Sequence, residues 1–188
     1  EFENIRKSKE LTLRDVRILA SCYLKTGDTT SWIKNYDIAI EREPEQFCKV
    51  MKLIGQIHLK NKNYIEAAKY FKKKLSYKAC IEEDEGKTNY FVGLSYLFGE
   101  QLDSAKIYFN NAIEIDPNDL SSKIYIADLY AKSEEIDSSI TKFKEVIQLA
   151  SKDPVKNDRD LKTAFSKLCG MLLKEKKLTD LINFGKQW

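Results

Sequence analysis

Residues 86–119, GKTNYFVGLSYLFGEQLDSAKIYFNNAIEIDPND, carry the pattern that decides the fold. Val92-Gly93 is followed by Tyr96, then by Ala105, Phe109 and Ala112, and the stretch closes on Asp116-Pro117. Fixed-period self-similarity identifies a repeat architecture wherever it is present, so this 34-residue frame was laid on the rest of the chain. It recurs four more times. From Leu13 it gives Leu19-Ala20, Tyr23, Tyr36, Ala39 and Pro44; from Cys48 it gives Ile54-Gly55, His58, Ala67 and Phe71. From Leu120 it gives Ile126-Ala127, Tyr130, Ser139 and Phe143; from Lys162 it gives Leu168-Cys169, Leu172, Leu181 and Trp188.

The small residue after the first leucine-like position is Ala20, Gly55, Gly93, Ala127 and Cys169, spaced by 35, 38, 34 and 42. Such a position is where two helices of a hairpin come closest, and a bulky side chain there forces them beyond the usual helix separation. The longer spacings place extra residues at Glu82 to Glu85 and at Pro154 to Leu161, each between repeats, as a loop or an extra helical turn. Asn118-Asp119 and Lys152-Asp153-Pro154 are turn or cap signals at those boundaries.

The composition agrees. Of 188 residues only seven are Gly and three Pro, so long helices are favoured over a turn-rich β fold. The 32 basic and 29 acidic residues give a net charge of +3 and are mostly interspersed, which lowers the expectation of nucleic-acid binding. The runs Lys72-Lys73-Lys74 and Glu82-Glu83-Asp84-Glu85 read as a solvated helix face and a linker. Cys22, Cys48, Cys80 and Cys169 form no C-x-x-C pair and no His/Cys cluster, so neither a zinc site nor a disulfide framework is expected, and Cys22 and Cys169 read as small packing residues. No apolar run has the length of a membrane span.

Together these motifs resemble the tetratricopeptide-repeat family over nearly all of the chain, with Asn89 where tryptophan is usual. The resemblance implies an all-α fold, a right-handed α-solenoid of antiparallel helix pairs, with ten to twelve helices and no sheet. The expected organisation is a single array over 1–188: a half-repeat at 1–12, then repeats at about 13–47, 48–85, 86–119, 120–161 and 162–188. The chain reads as a fragment of a longer protein, with more of its own chain or a partner covering the Trp188 end. Trp32, Lys74 and Gly185 depart from the family pattern; Gly185 stands where an aromatic is usual. The last two repeats and the insertion at Pro154 are also similar to some bacterial envelope tetratricopeptide proteins. That similarity points to the periplasm or cell envelope first and the cytoplasm next.

A catalytic site needs a nucleophile, base or metal set in one pocket. One histidine, no paired acidic motif and no phosphate-cradling glycine loop give no catalytic residues, no metal ligands and no cofactor. His58 reads as a packed core histidine. In this family the concave surface lined by the first helix of each pair carries function. The resemblance places Arg14, Arg17, Lys25, Lys49, Lys52, Gln56 and Lys60 there as a basic half, and Tyr90, Phe91, Leu94, Phe98, Tyr125 and Asp128 as a largely aromatic half. The implied function is a non-catalytic protein-interaction scaffold that binds a peptide segment, acidic in part, or a neighbouring subunit in its concave groove. In the alternative reading, the cations are ordinary surface residues and the aromatics pack between hairpins. One family subset clamps a chaperone C-terminal carboxylate, but the matching positions here, Arg17, Ser21, Leu53, Lys87 and Phe91, lack its two asparagines and its arginine. An RNA-binding helical repeat and an accessory domain of a larger enzyme are the other classes.

Overall fold

The structure, a computed structural model, describes residues 44–187. The half-repeat and first repeat, with Arg14, Arg17, Cys22, Lys25 and Trp32, and the terminal Trp188, lie outside the described residues. Those described form eight helices and no strand: α1 Pro44–Lys60, α2 Tyr64–Leu75, α3 Lys78–Phe98, α4 Leu102–Ile115, α5 Leu120–Lys132, α6 Ile136–Ala150, α7 Asp158–Lys174 and α8 Leu178–Gln187. The fold is all-α, with two helices for each of the last four expected repeats. The helices divide after Gln101 into two compact units.

The turn after each first helix has one geometry, repeated four times. Lys62, Glu100, Glu134 and Lys176 each take a left-handed backbone, with φ of 61°, 60°, 62° and 54°. The amides that follow, Asn63, Gln101, Glu135 and Lys177, each donate at 2.9 Å to a carbonyl five residues back, on His58, Tyr96, Tyr130 and Leu172. This is the Schellman ending, which satisfies carbonyls that the helix leaves without intrahelical donors. The turns are 38, 34 and 42 residues apart, the same spacings as the small residues from Gly55 onward.

In the first unit α1 packs on α2, and α3 packs on both. Ile54, Ala67 and Phe71 are buried at the α1–α2 crossing, where a Cβ built on Gly55 lies 2.7 Å from the Phe71 ring. Two links then join α1 to α3: a disulfide between Cys48 and Cys80, and an ion pair of 2.5 Å between Lys52 and Asp84. Each pair is 32 residues apart and the two links are one helical turn apart, so α1 and α3 run in the same direction.

The disulfide corrects the expectation drawn from cysteine spacing. Spacing along the chain shows only local cysteine patterns, whereas packed helices bring together Cys48 and Cys80, 32 residues apart. The charged runs also differ from expectation. Glu82 to Glu85 is the extra helical turn, not a loop or linker: it lies in α3, which kinks at Asp84. Lys74, read as part of a solvated face, is 2% exposed. Its ammonium donates to Thr88 Oγ1 at 2.8 Å and stands 3.6 Å from the Asp84 carboxylate. A buried lysine persists only where acceptors and a counter-charge meet it, and the kinked turn of α3 supplies both.

In the second unit α5 packs on α4 and α6, α7 packs on α5 and α6, and α8 packs on α7. The core comprises Leu120, Ile124, Ala127, Phe143, Val146, Ile147, Ala164, Leu168, Leu172 and Phe184. Ala127 marks the α5–α6 crossing, where buried Ser139 donates to the Ala127 carbonyl at 2.7 Å. Asp119 caps α5 as expected, accepting from Ser122 N at 3.1 Å. Residues 151–157 link α6 to α7, held by Asp153 Oδ1 accepting from Lys156 N and by Asn157 donating to the Ala150 carbonyl.

Two glycine substitutions separate packing from helix propensity. Gly55→Ala gains about 1 kcal/mol of propensity, but its methyl meets a fully buried ring that already stacks on Phe91. Overpacking of this kind costs about 1–3 kcal/mol, so the urea midpoint is expected to fall. Gly170→Ala, also within a helix but with no atom within 4 Å of its Cβ, is expected to raise it.

Candidate functional site

The first-helix face in the first unit is built from α1 and α3. Lys49, Lys52, Gln56 and Lys60 recur at helical spacing along α1; Lys49, Gln56 and Lys60 are exposed, and Lys52 is half-buried. Lys52 is the expected groove cation that is already engaged: its ammonium is held by Asp84, a carboxylate it shares with Lys74. The exposed cations of α1 are Lys49 and Lys60.

On α3, Tyr90 and Phe91 are half-buried, Leu94 is buried and Phe98 is 48% exposed. Phe91 stacks on Phe71 of α2 with ring centroids 5.1 Å apart and planes 11° apart, and Tyr90 meets its edge at 5.4 Å. Phe98 leans on Tyr64 of α2 at 5.8 Å. In the second unit Tyr125 stacks on Phe109 of α4 at 5.1 Å and 10°, repeating the Phe71–Phe91 arrangement one frame later. Asp128 pairs with Lys167 of α7 at 2.6 Å. Phe91 and Tyr125 therefore pack one hairpin on the next, and Leu94 belongs to the core; Tyr90 and Phe98 stay partly exposed.

Sequence reading missed the Lys52–Asp84–Lys74 group. Its signal was Lys74 at a position that asks for a small apolar residue: a cation there requires a carboxylate, and the acidic run at Glu82 to Glu85 is the nearest supply. Among the described residues, no group of three or more histidine, cysteine, aspartate or glutamate side chains could hold a metal. Cys169, partly buried against the core of its unit, has its thiol pushed up by desolvation and so is held in the unreactive form.

His58 is a core residue, as expected. It is buried, its ring lies parallel to Tyr70 at 5.4 Å, and neither ring nitrogen has a hydrogen-bond partner among the described residues. Desolvation lowers its pKa from the ordinary 6.5; Glu66 opposes that and Lys69 adds to it. A group whose folded-state pKa is depressed in this way takes up protons more readily in the unfolded chain. Stability is therefore full above pH 6.5 and falls as pH drops from there toward the folded-state pKa. His58→Phe, which keeps the stacked ring, is expected to flatten the thermal midpoint between about pH 6.5 and 5 relative to the wild type. Parallel midpoint-versus-pH curves for the two proteins would contradict this assignment.

Residues 86–119 match the family model of the tetratricopeptide repeat. No curated protein matches the chain. Among solved structures, the C-terminal part of a TPR repeat-containing protein from Cytophaga hutchinsonii aligns with a TM-score of 0.67 at 16% identity, covering 92% of this chain and 66% of that one. The TPR-like repeats of a kinesin light chain from Podosopora anserina give 0.64 at 12% identity, covering 93% and 92%. MamA from Desulfovibrio magneticus RS-1, from residue 41, gives 0.55 at 18% identity, covering 74% and 76%. At these identities the likeness is one of fold.

Proposed function

We propose that this chain, whose sequence match at 86–119 and whose fold are those of tetratricopeptide-repeat proteins, is a protein-interaction scaffold that holds an acidic, partly apolar segment along α1 and α3. Tetratricopeptide repeats generally mediate protein–protein interaction, and the fold is typically a non-catalytic scaffold. The observation that carries the finer reading is the juxtaposition of α1 and α3: the disulfide and the Lys52–Asp84 pair hold the exposed Lys49, Gln56 and Lys60 beside the helix that bears Tyr90 and Phe98. Ammonium groups attract and hydrogen-bond carboxylates, and aromatics give contact area at low entropic cost. Arg14 and Arg17 extend the proposed basic end in sequence. No described helix is long and apolar enough to cross a membrane. The Cys48–Cys80 disulfide supports a compartment that keeps cysteines oxidised, and so the cell envelope over the cytosol.

The test uses a labelled peptide carrying two glutamates followed by a leucine- and phenylalanine-containing segment. Lys49→Glu/Lys60→Glu is expected to slow association and flatten its salt dependence. Phe98→Ala is expected to speed dissociation, at a cost of about 1 kcal/mol or more where it anchors the ligand. Equal binding by the wild type and both variants would sink the groove reading. Tighter binding of a single-stranded oligouridine, lost steeply with added salt, would replace it with the RNA-binding alternative.

A further inference from the structure

The two halves of α1 are fastened in different ways. The second half sits on α2: the Phe71 ring fills the space beside Gly55, and the His58 ring lies parallel to Tyr70. The first half is fastened to the start of α3 by three contacts in a row. The Phe47 and Tyr77 rings lie 4.6 Å apart, Cys48 is bonded to Cys80, and Lys52 meets Asp84. The far side of this row, residues 77–84, is a short piece between two breaks. Before it α2 ends at Leu75, and the amides of Ser76 and Tyr77 donate back to the carbonyls of Lys72 and Lys74. At its end α3 is interrupted at Asp84, and the helix beyond has a fastening of its own. There Thr88 Oγ1 and Asn89 Nδ2 donate to the carbonyls of Asp84 and Glu85 at 2.7 and 3.1 Å.

We propose that residues 77–84 are a redox-operated clasp, closed by the Cys48–Cys80 disulfide and opened by a dithiol reductant, that controls the Lys49 end of the ligand surface. The control of binding rests on the α1–α3 surface proposed above. Lys49 is exposed and stands between Cys48 and Lys52, within the clasped half of α1. Lys60 belongs to the half that α2 holds, next to the turn into α2, where Tyr64 meets Phe98. Opening the clasp therefore removes the fixed spacing between Lys49 and Tyr90 and leaves the Lys60 and Phe98 end in place. Cys48 and Cys80 are 2% and 1% exposed, so a thiolate reaches the bond only when the piece lifts from α1. Cys80 lies in the first turn of α3, and helix ends open more readily than helix interiors. In the exchange the disulfide breaks, Cys48 and Cys80 each take up one electron and one proton, and the dithiol is oxidised to its own disulfide. The ring contact and the ion pair that remain are both partly exposed, and contacts of that kind hold weakly without the covalent link. The surface is then complete only where cysteines are kept oxidised.

The test compares the oxidised 188-residue chain with the same chain in dithiothreitol, by amide hydrogen exchange and by titration with the two-glutamate peptide described above. Reduction is expected to raise exchange in 77–84 while 86–98 keeps its protection, and to weaken peptide binding severalfold. On the reduced chain Lys49→Glu is expected to change nothing further, whereas Phe98→Ala still speeds dissociation. Cys48→Ser/Cys80→Ser is expected to match the reduced wild type and to be indifferent to dithiothreitol, which excludes Cys22 and Cys169 as the responding thiols. Three results would overturn the proposal: exchange in 77–84 that reduction leaves unchanged, protection lost equally through 86–98, or equal affinity of the oxidised and reduced chains. An oxidised chain that binds no peptide overturns the ligand surface and the control of it together, while the exchange in 77–84 still decides whether the clasp opens.

Discussion

The close approach of two helices at one small residue is the constraint on which the rest of this structure hangs. Gly55 has no side chain because the Phe71 ring occupies the space a Cβ would need, and Ala127 is small because Ser139 comes within hydrogen-bond distance of its carbonyl. Once the hairpin is closed that tightly, the second-helix phenylalanine can pass beyond its own partner and reach the next first helix. Phe71 and Phe109 both do so, stacking on Phe91 and Tyr125 at 5.1 Å. A repeat cannot bury its apolar face alone; each depends on the ring it sends to its neighbour.

That division of labour decides which residues are left to act on a ligand. An aromatic on a first helix at the stacking position is consumed by the array, whereas one a few residues on, such as Phe98, keeps half its surface. The same holds for charge. Lys52 is held by Asp84 at 2.5 Å, and an ammonium already paired has little to offer an incoming carboxylate. Spacing along a helix gives the face on which a side chain lies, and its neighbours determine whether it is available.

The sequence was legible where a single period governs. The helix pairs, the small residues at their crossings and the cap at Asp119 all follow from local pattern, and the spacings 38 and 34 reappear as the spacings of the turns. It was illegible where a helix starts earlier than the frame places it. Cys80, near the end of the 34-residue frame, and Asp84, just beyond it, both lie in α3, which begins before the repeat expected at 86–119, so the frame assigned them no neighbour, and the disulfide to Cys48 and the ion pair to Lys52 went unseen. The tight turns were hidden for another reason. Lys62, Glu100, Glu134 and Lys176 adopt a backbone that glycine or asparagine usually marks, so no turn residue announced them.

The departures from pattern have different consequences according to whether their cost is met inside the chain. Lys74 replaces a small apolar residue, and the fold answers it with Thr88, Asp84 and a kink in α3; the departure is compensated and so is structural. His58 replaces a tyrosine and is answered only by a parallel ring, so its cost is deferred until the pH falls. Gly185 replaces an aromatic and nothing within the described residues answers it, while the aliphatic residues beside it stay exposed. A repeat array tolerates a broken rule wherever a neighbouring residue restores the contact. Where no neighbour among the described residues does, as at Gly185, the departure stays uncompensated.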